Sequence, residues 1–440
     1  MKRRDFLKGS GIASIAAVVC SAKAADTPAS AVSAPVKADT APVCKFTTPP
    51  VLFNPAETSM QVSAGISSLG NGFADVCKGA WDESKAVRYW SGGFRIRDCN
   101  STHVSVSMTG LEPGCAYTYR VGVIPMLRKS GYNIKLGAPE YLPIGSFTTA
   151  GKNASSDFAV FGDTHGYSGI IGAIAKKLDE LKPSVCVWNG DIGNSQETPE
   201  AVSNMMLRAA GDVPWFKDRP FHFVNGNHDY RGVAARFIEE VTPFRRPEER
   251  DPEFWDLGRN FAVRQGDIAL IGLDTGEDKP DLRPSFYGII NCEPYRKMQT
   301  KWLEKVLQRE DIASAPFIVA FSHIPLYPTY PGANPGGRVY ANSSDFAGWE
   351  KSCADMWAPL LNKARCQLVC CAHTHTPTFH PAEGERSWAM MVTGGPRRSN
   401  PLNDVICGKV IDGKLRVTRH RTRSNQTFEE DVHWFEPRKA

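Results

Sequence analysis

No stretch of this 440-residue chain approaches the ~20 consecutive apolar residues that a membrane-spanning helix needs. The apolar run from Ile12 to Val19 is too short, and nothing later comes closer, so no transmembrane segment is expected. A strong excess of charge is missing as well. The formal net charge is +5, and Lys2, Arg3, Arg4, Lys8 and Lys23, opposed only by Asp5, supply most of it. The rest is close to neutral, which gives bulk charge no part in recruiting a nucleic acid. Residues 25–43 have almost no large apolar side chain, and their Ala, Pro, Ser, Thr and Asp cannot bury a core, so a flexible linker is expected there. The chain is 42% hydrophobic, and the portion from Cys44 onward is long enough for two domains.

What the chain does contain is a series of five polar segments, each following an apolar run. They are Gly162-Asp163-Thr164-His165-Gly166, Gly190-Asp191-Ile192-Gly193-Asn194, Gly226-Asn227-His228-Asp229, Ser322-His323-Ile324-Pro325 and Ala372-His373-Thr374-His375. The runs before them, 158–161, 185–188, 221–224, 317–321 and 368–371, have the length and composition of buried strands. The polar residues therefore fall at strand ends, where open α/β sheets bind their ligands. Their chemistry is that of a metal site. Carboxylate and carboxamide oxygens suit hard divalent cations, imidazole suits Fe, Zn and Ni, and one carboxylate can bridge two ions about 3.5–4 Å apart. Glycine before Asp163, Asp191 and Asn227 lets the chain turn sharply and a substrate come close.

This ordered set resembles the calcineurin-like metallophosphoesterase superfamily, with its D-x-H, G-D, G-N-H-[DE], H and G-H-x-H pattern, over roughly residues 155–400. The resemblance implies that one metal takes Asp163, His165 and His375, the other Asn227, His323 and His373, and that Asp191 bridges them. It implies two ions drawn from Fe, Mn, Zn or Ni. His228 would be the substrate ligand and general acid, oriented by Asp229. Two branches of the superfamily fit less well. Purple acid phosphatases have a tyrosinate ligand near the place of Asn194 and no histidine where His165 stands, so their tyrosinate-iron colour is expected to be missing. Protein phosphatases carry an Asp-Arg pair where this chain has Ile192-Gly193-Asn194-Ser195. Ala372 replaces a customary glycine and demands an ordinary backbone angle.

The expected fold class is α/β, with two packed mixed β-sheets flanked by helices, preceded by a β-sandwich. Helices are predicted at 170–181 and 295–308, and hairpins at 260–273 and 409–417. From Cys44 to Thr149, short alternating runs such as 60–64, 103–107 and 117–121 between Gly, Pro and Asn turns suggest the sandwich, which resembles a fibronectin type III-like or purple-acid-phosphatase N-terminal domain. The predicted division is a signal at 1–24, a linker at 25–43, the sandwich at 44–149 and a catalytic domain at 150–440. Lys2-Arg3-Arg4-Asp5-Phe6-Leu7-Lys8, the apolar stretch and Ala22-Lys23-Ala24 resemble a twin-arginine signal, which implies a periplasmic or secreted protein. A lipid anchor at Cys20 is disfavoured by the large Val19 before it.

In such a compartment Cys44, Cys77, Cys99 and Cys115 could form two disulfides, with pairing open. Cys186, Cys370 and Cys371 read as core packing. His222, His380, His420 and His433 match no motif and read as ordinary surface or partly buried residues. Tyr327, Tyr330 and Arg338, in the Pro- and Gly-rich loop after His323, are candidates for contact with a leaving group, and Arg397 and Arg398 for contact with phosphate. The expected activity is hydrolysis of a small phosphorylated substrate, a monoester, by metal-activated water. The alternatives are a phosphodiesterase acting on nucleotides or glycerophosphodiesters, and a non-catalytic surface binding protein.

Overall fold

The computed structural model describes residues 41–440 apart from 94–96, 212–214, 245–251, 255–256, 287, 330–349, 398–399, 402, 424–425 and 439–440. The predicted signal, Tyr330, Arg338 and Arg398 lie outside the described residues, as does nearly all of the predicted linker.

Two sheets face each other across an apolar layer. One has six strands in the order Phe261–Gln265, Ile268–Leu273, Phe317–Ser322, Leu368–Cys371, Ala389–Val392 and Thr378–His380, with the middle four parallel. The other has nine, and its centre is the parallel set Asp157–Phe161, Cys186–Asn189 and Phe221–Val224. Every residue of these central strands but the first is buried, because both faces are covered. The alternation within Asp157–Phe161 shows how. Phe158 and Val160 enter the layer between the sheets with Leu270, Val319 and Phe321, whereas Ala159 and Phe161 pack outward with Trp188 and helix Ser168–Leu181. Helices Cys292–Val306 and Lys351–Lys363 cover the outer face of the six-stranded sheet. The layers are thus helix, sheet, sheet, helix.

A seven-stranded sheet built on Gly70–Lys78 and Ala116–Arg128 lies at the N-terminal side. Its partner in the sandwich is the far end of the nine-stranded sheet, where Val51–Phe53, Ser59–Gly65 and His103–Thr109 continue from Phe221–Val224. Phe53 pairs with Phe221 in parallel, and the Tyr119 hydroxyl donates to the Lys217 carbonyl oxygen at 2.6 Å. Main-chain pairing therefore runs unbroken from the sandwich to the strands that carry the polar segments.

Both predicted hairpins are present, Phe261–Gln265 with Ile268–Leu273 and Asn403–Ile411 with Lys414–Arg423. The cysteine expectation is corrected. None of the described cysteines is in a disulfide, and the Cys44 and Cys77 thiols donate to the carbonyl oxygens of Ser68 and Asp82. His222 departs from its reading too. It is fully buried in the strand before Asn227, its ring stacked on Phe261 with centroids 3.8 Å apart.

Arg419 ties the two facing sheets together. It is fully buried in the nine-stranded sheet, pairs with Asp404 at 3.1 Å and Asp431 at 2.8 Å, and donates to the Val392 and Thr378 carbonyl oxygens of the six-stranded sheet, both at 2.7 Å. Removing one partner of a buried ion pair leaves the other charge uncompensated. Arg419→Leu is therefore expected to cost about 3–5 kcal/mol of stability, read as a lower denaturation midpoint. A loss under about 1 kcal/mol would show that the sheets do not depend on this tie.

Candidate metal centre

All five polar segments emerge at the C-terminal ends of strands and meet in the gap between the two sheets. Glycine makes one turn possible. Gly190 has φ +82°, and a Cβ there would collide with the Gly226 backbone and the His323 ring. Five non-glycine residues of these segments are also left-handed, with φ of 50° at Asp163, 46° at His165, 55° at Asp191, 71° at His373 and 55° at His375. Ala372 is not among them, in keeping with the ordinary angle expected of it.

The two acids are organised alike. Asp163 Oδ2 accepts from the His373 backbone N–H at 2.8 Å, and Asp191 Oδ1 from that of His228 at 2.9 Å. Each thereby turns its other oxygen toward imidazole. Asp191 Oδ2 lies 3.5 Å from His165 Nε2 and 3.4 Å from His323 Nε2. Asp163 Oδ1 lies 3.5 Å from His375 Nε2, 3.8 Å from His323 Nε2 and 3.9 Å from His165 Nε2. One donor atom from each of Asp163, His165, Asp191 and His375 falls within a 4.8 Å cluster.

The outer nitrogens of three histidines are committed elsewhere. His165 Nδ1 lies 2.9 Å from Asn194 Oδ1, His323 Nδ1 2.7 Å from the Asn189 carbonyl oxygen, and His375 Nδ1 3.0 Å from that of Pro396. Donation from Nδ1 fixes each ring with Nε2 directed at the carboxylates, and in the neutral imidazole that nitrogen would offer its lone pair to a metal. His373 and Asn227 stand beside this group, with Nδ1 and Oδ1 2.9 Å apart and the His373 ring 5.4 Å from that of His323.

The electrostatics ask for a cation. Asp163 Oδ1 and His323 Nε2 are buried and find no hydrogen-bond partner among the described residues. Burial works against the charge on Asp191, yet His323, His228 and His165 hold it far below the usual carboxylate range. Burial likewise opposes a charged His323, but Asp191 and Asp163 push it up to about 10. His373, buried and beside His323, is pushed down to about 4 and stays neutral. Two buried carboxylates thus draw a proton onto an imidazole, a role that metal ions fill with more charge and matching donors. The donor set fits Fe, Mn, Zn or Ni.

His228 sits at the rim, its ring 5.0 Å from that of His165 and its Nδ1 2.7 Å from the Asn194 carbonyl oxygen. Asp229 does not orient that ring. Its carboxylate accepts from the backbone N–H groups of Gly226 and Asp191 at 2.8 Å and Ile192 at 3.1 Å, so it fastens the Asp191 turn to the Asn227 turn. Asn194 is a further residue of consequence, since its side chain serves His165 and its carbonyl serves His228.

Sequence reading also missed Arg231, Glu277 and Asp278. Arg231 Nη1 lies 3.0 Å from His228 Nε2, and the guanidinium is held by the two acids. The only signal was position, Arg231 just after the third segment and the acids just after a core strand. Tyr327 takes part in a contact with Arg386, whose guanidinium lies 4.2 Å from its ring centre, and with His380.

Known proteins were compared with this chain. The sequence model of calcineurin-like phosphoesterases matches residues 156–377. A protein named probable purple acid phosphatase 20, from Arabidopsis thaliana, is 24% identical over 273 residues, covering 58% of this chain and 55% of that one. The chain therefore spans about half the length of this curated relative. Among solved structures, the purple acid phosphatase from yellow lupin (Lupinus luteus) seeds superposes with a TM-score of 0.60 at 14% identity, covering 88% of this chain and 74% of that one. That likeness is one of fold.

The role of Asp229 is open to a direct check. An amide offers one acceptor oxygen, and its NH2 would face a backbone N–H. Asp229→Asn is therefore expected to lower stability by about 1–3 kcal/mol and to reduce bound metal, measured by thermal unfolding and metal analysis. Unchanged values in both would mean that the two turns are held by other contacts.

Proposed function

The chain belongs to the calcineurin-like phosphoesterase family, and on that premise we propose that it is a binuclear metal-dependent phosphoesterase that hydrolyses phosphate monoesters. The observation that carries the reading is the convergence of Asp163, His165, Asp191, His323 and His375 on one small volume, with His228 at its edge. Asp163, His165 and His375 would hold one ion, Asn227, His323 and His373 the other, and Asp191 both. When bound, the ions would supply Lewis-acid binding of phosphoryl oxygens and ionisation of water near neutral pH. The chain's own part is orientation and proton transfer. The Asn194 carbonyl holds His228 by Nδ1, and Nε2, which lies 3.0 Å from Arg231 Nη1, is the nitrogen that would carry the proton to the departing oxygen. Preference for monoesters is supported by the sandwich-plus-catalytic arrangement shared in fold with the lupin phosphatase.

No described helix is long and apolar enough to cross a membrane. Export by the twin-arginine route, to the periplasm or beyond the cell, is part of the proposal and rests on residues 2–24. Arg3→Lys with Arg4→Lys is expected to retain the protein in the cytoplasm, and undiminished export of that double variant would eliminate the route.

The decisive measurement is turnover of the full chain reconstituted in turn with Fe, Mn, Zn and Ni. The expected result is faster release from p-nitrophenyl phosphate than from bis(p-nitrophenyl) phosphate, abolished by chelation. The reverse order would identify a diesterase, and no turnover with any metal would identify a binding protein. His228→Ala should keep its metals and lose more activity on alkyl phosphates than on p-nitrophenyl phosphate, whose leaving group needs little protonation. The difference should reach about 10²–10⁴-fold, and equal losses would remove His228 as the proton donor.

A further inference from the structure

Behind His228 stands a group of charges to which the metal ligands give no role. A guanidinium has five N–H donors in one plane. In Arg231 three of them are spoken for, since Nε donates to Glu277 Oε2 at 2.8 Å and Nη2 to Glu277 Oε1 at 2.6 Å and Asp278 Oδ1 at 2.8 Å. The remaining two are on Nη1. That nitrogen lies 3.0 Å from His228 Nε2 and 3.3 Å from its Nδ1.

The acids are not surface partners. The Glu277 side chain is fully buried and that of Asp278 is 7% exposed, against 22% for Arg231. Their loop is itself braced, because Arg296 donates to the carbonyl oxygens of Thr275 at 2.9 Å and Glu277 at 2.7 Å. Two buried carboxylates are costly unless a cation meets them with good geometry. Here they fix the plane of an arginine whose remaining amino group reaches His228 Nε2 at the rim of the site with one N–H and has its second N–H left over among the described residues. An arginine kept only for packing would need neither the fork nor that direction.

We propose that Arg231 is a phosphate-binding residue of this site, its Nη1 donating to a non-bridging oxygen of the substrate and favouring the dianion of a monoester over the monoanion of a diester. The proposal rests on the phosphoesterase reading of the metal centre. Arginine bonds phosphate oxygens strongly and directionally. A monoester brings one more charged oxygen than a diester, and where a diester places its second ester group Nη1 has no charge to meet. An oxygen arriving beside this pair takes the Nη1 hydrogen that is not directed at His228, which stays next to the bound phosphate. Glu277 and Asp278 are positioning residues. Asp278 also pairs with Lys279, so the two acids balance two cations and discrimination comes from the directed N–H and not from a general attraction for anions.

The test uses full-length, metal-loaded protein with metal content measured in each variant. Arg231→Met is expected to weaken calorimetric binding of inorganic phosphate about 10- to 100-fold, the range of one charge-assisted hydrogen bond. With p-nitrophenyl phosphate the loss should fall mainly on KM, and with bis(p-nitrophenyl) phosphate kcat/KM should change far less. Arg231→Lys, which keeps charge but not the fork, should recover only part. If Arg231→Met does not fold, the same measurements are made on a variant that also carries Glu277→Gln and Asp278→Asn and so buries no charge. Phosphate binding unchanged at normal metal content, or equal losses on both esters, would overturn the proposal. A native protein that binds phosphate through Arg231 yet turns over no ester would overturn the phosphoesterase reading and leave the anion site standing.

Discussion

Everything at the centre of this molecule answers to two buried carboxylates, Asp163 and Asp191. Neither has appreciable contact with solvent, and they sit close enough to share His165 and His323 between them. Paired negative charge in a low-dielectric gap is unstable unless positive charge is brought to it. The protein meets this need twice over. One oxygen of each acid takes a backbone N–H, and the other is left to imidazole and to metal. The sheets, turns and outer hydrogen bonds of the histidines all serve to keep those two oxygens in place.

That arrangement carries a conformational cost. Five site residues with a Cβ are left-handed, at on the order of 1–2 kcal/mol each. Such strain persists only where the surroundings determine it, and the two apolar layers around the central strands are large enough to do so. Asp229 acts at the same level. By accepting three backbone N–H groups it makes two separate turns one unit, which matters more to the site than a direct contact with His228 would.

Much of this was legible in the sequence, for physical reasons that also mark its limits. The apolar runs at 158–161, 221–224 and 317–321 are buried on both faces and announce themselves by composition, and each polar segment follows its strand within a residue or so. The hairpins were visible because Gly266-Asp267 and Asp412-Gly413 are local turn chemistry. Contacts between distant segments were not. Arg231 meets Glu277 and Asp278 across more than forty residues, and nothing local in any of the three says so. Asn194 looked like a mere substitute for a missing tyrosine until its two hydrogen bonds were seen. His222 lacks a motif, so its burial against Phe261 could be known only from the fold.

The continuous sheet has a practical meaning for anyone who would divide this protein. Phe221–Val224, which leads into Asn227 and His228, is flanked on one side by Cys186–Asn189 and on the other by Val51–Phe53. Cutting the chain after the sandwich would make an interior strand into an open, apolar edge ready to pair with another copy. The N-terminal module therefore doubles as a guard against self-association, and a truncated form expressed without it invites insolubility.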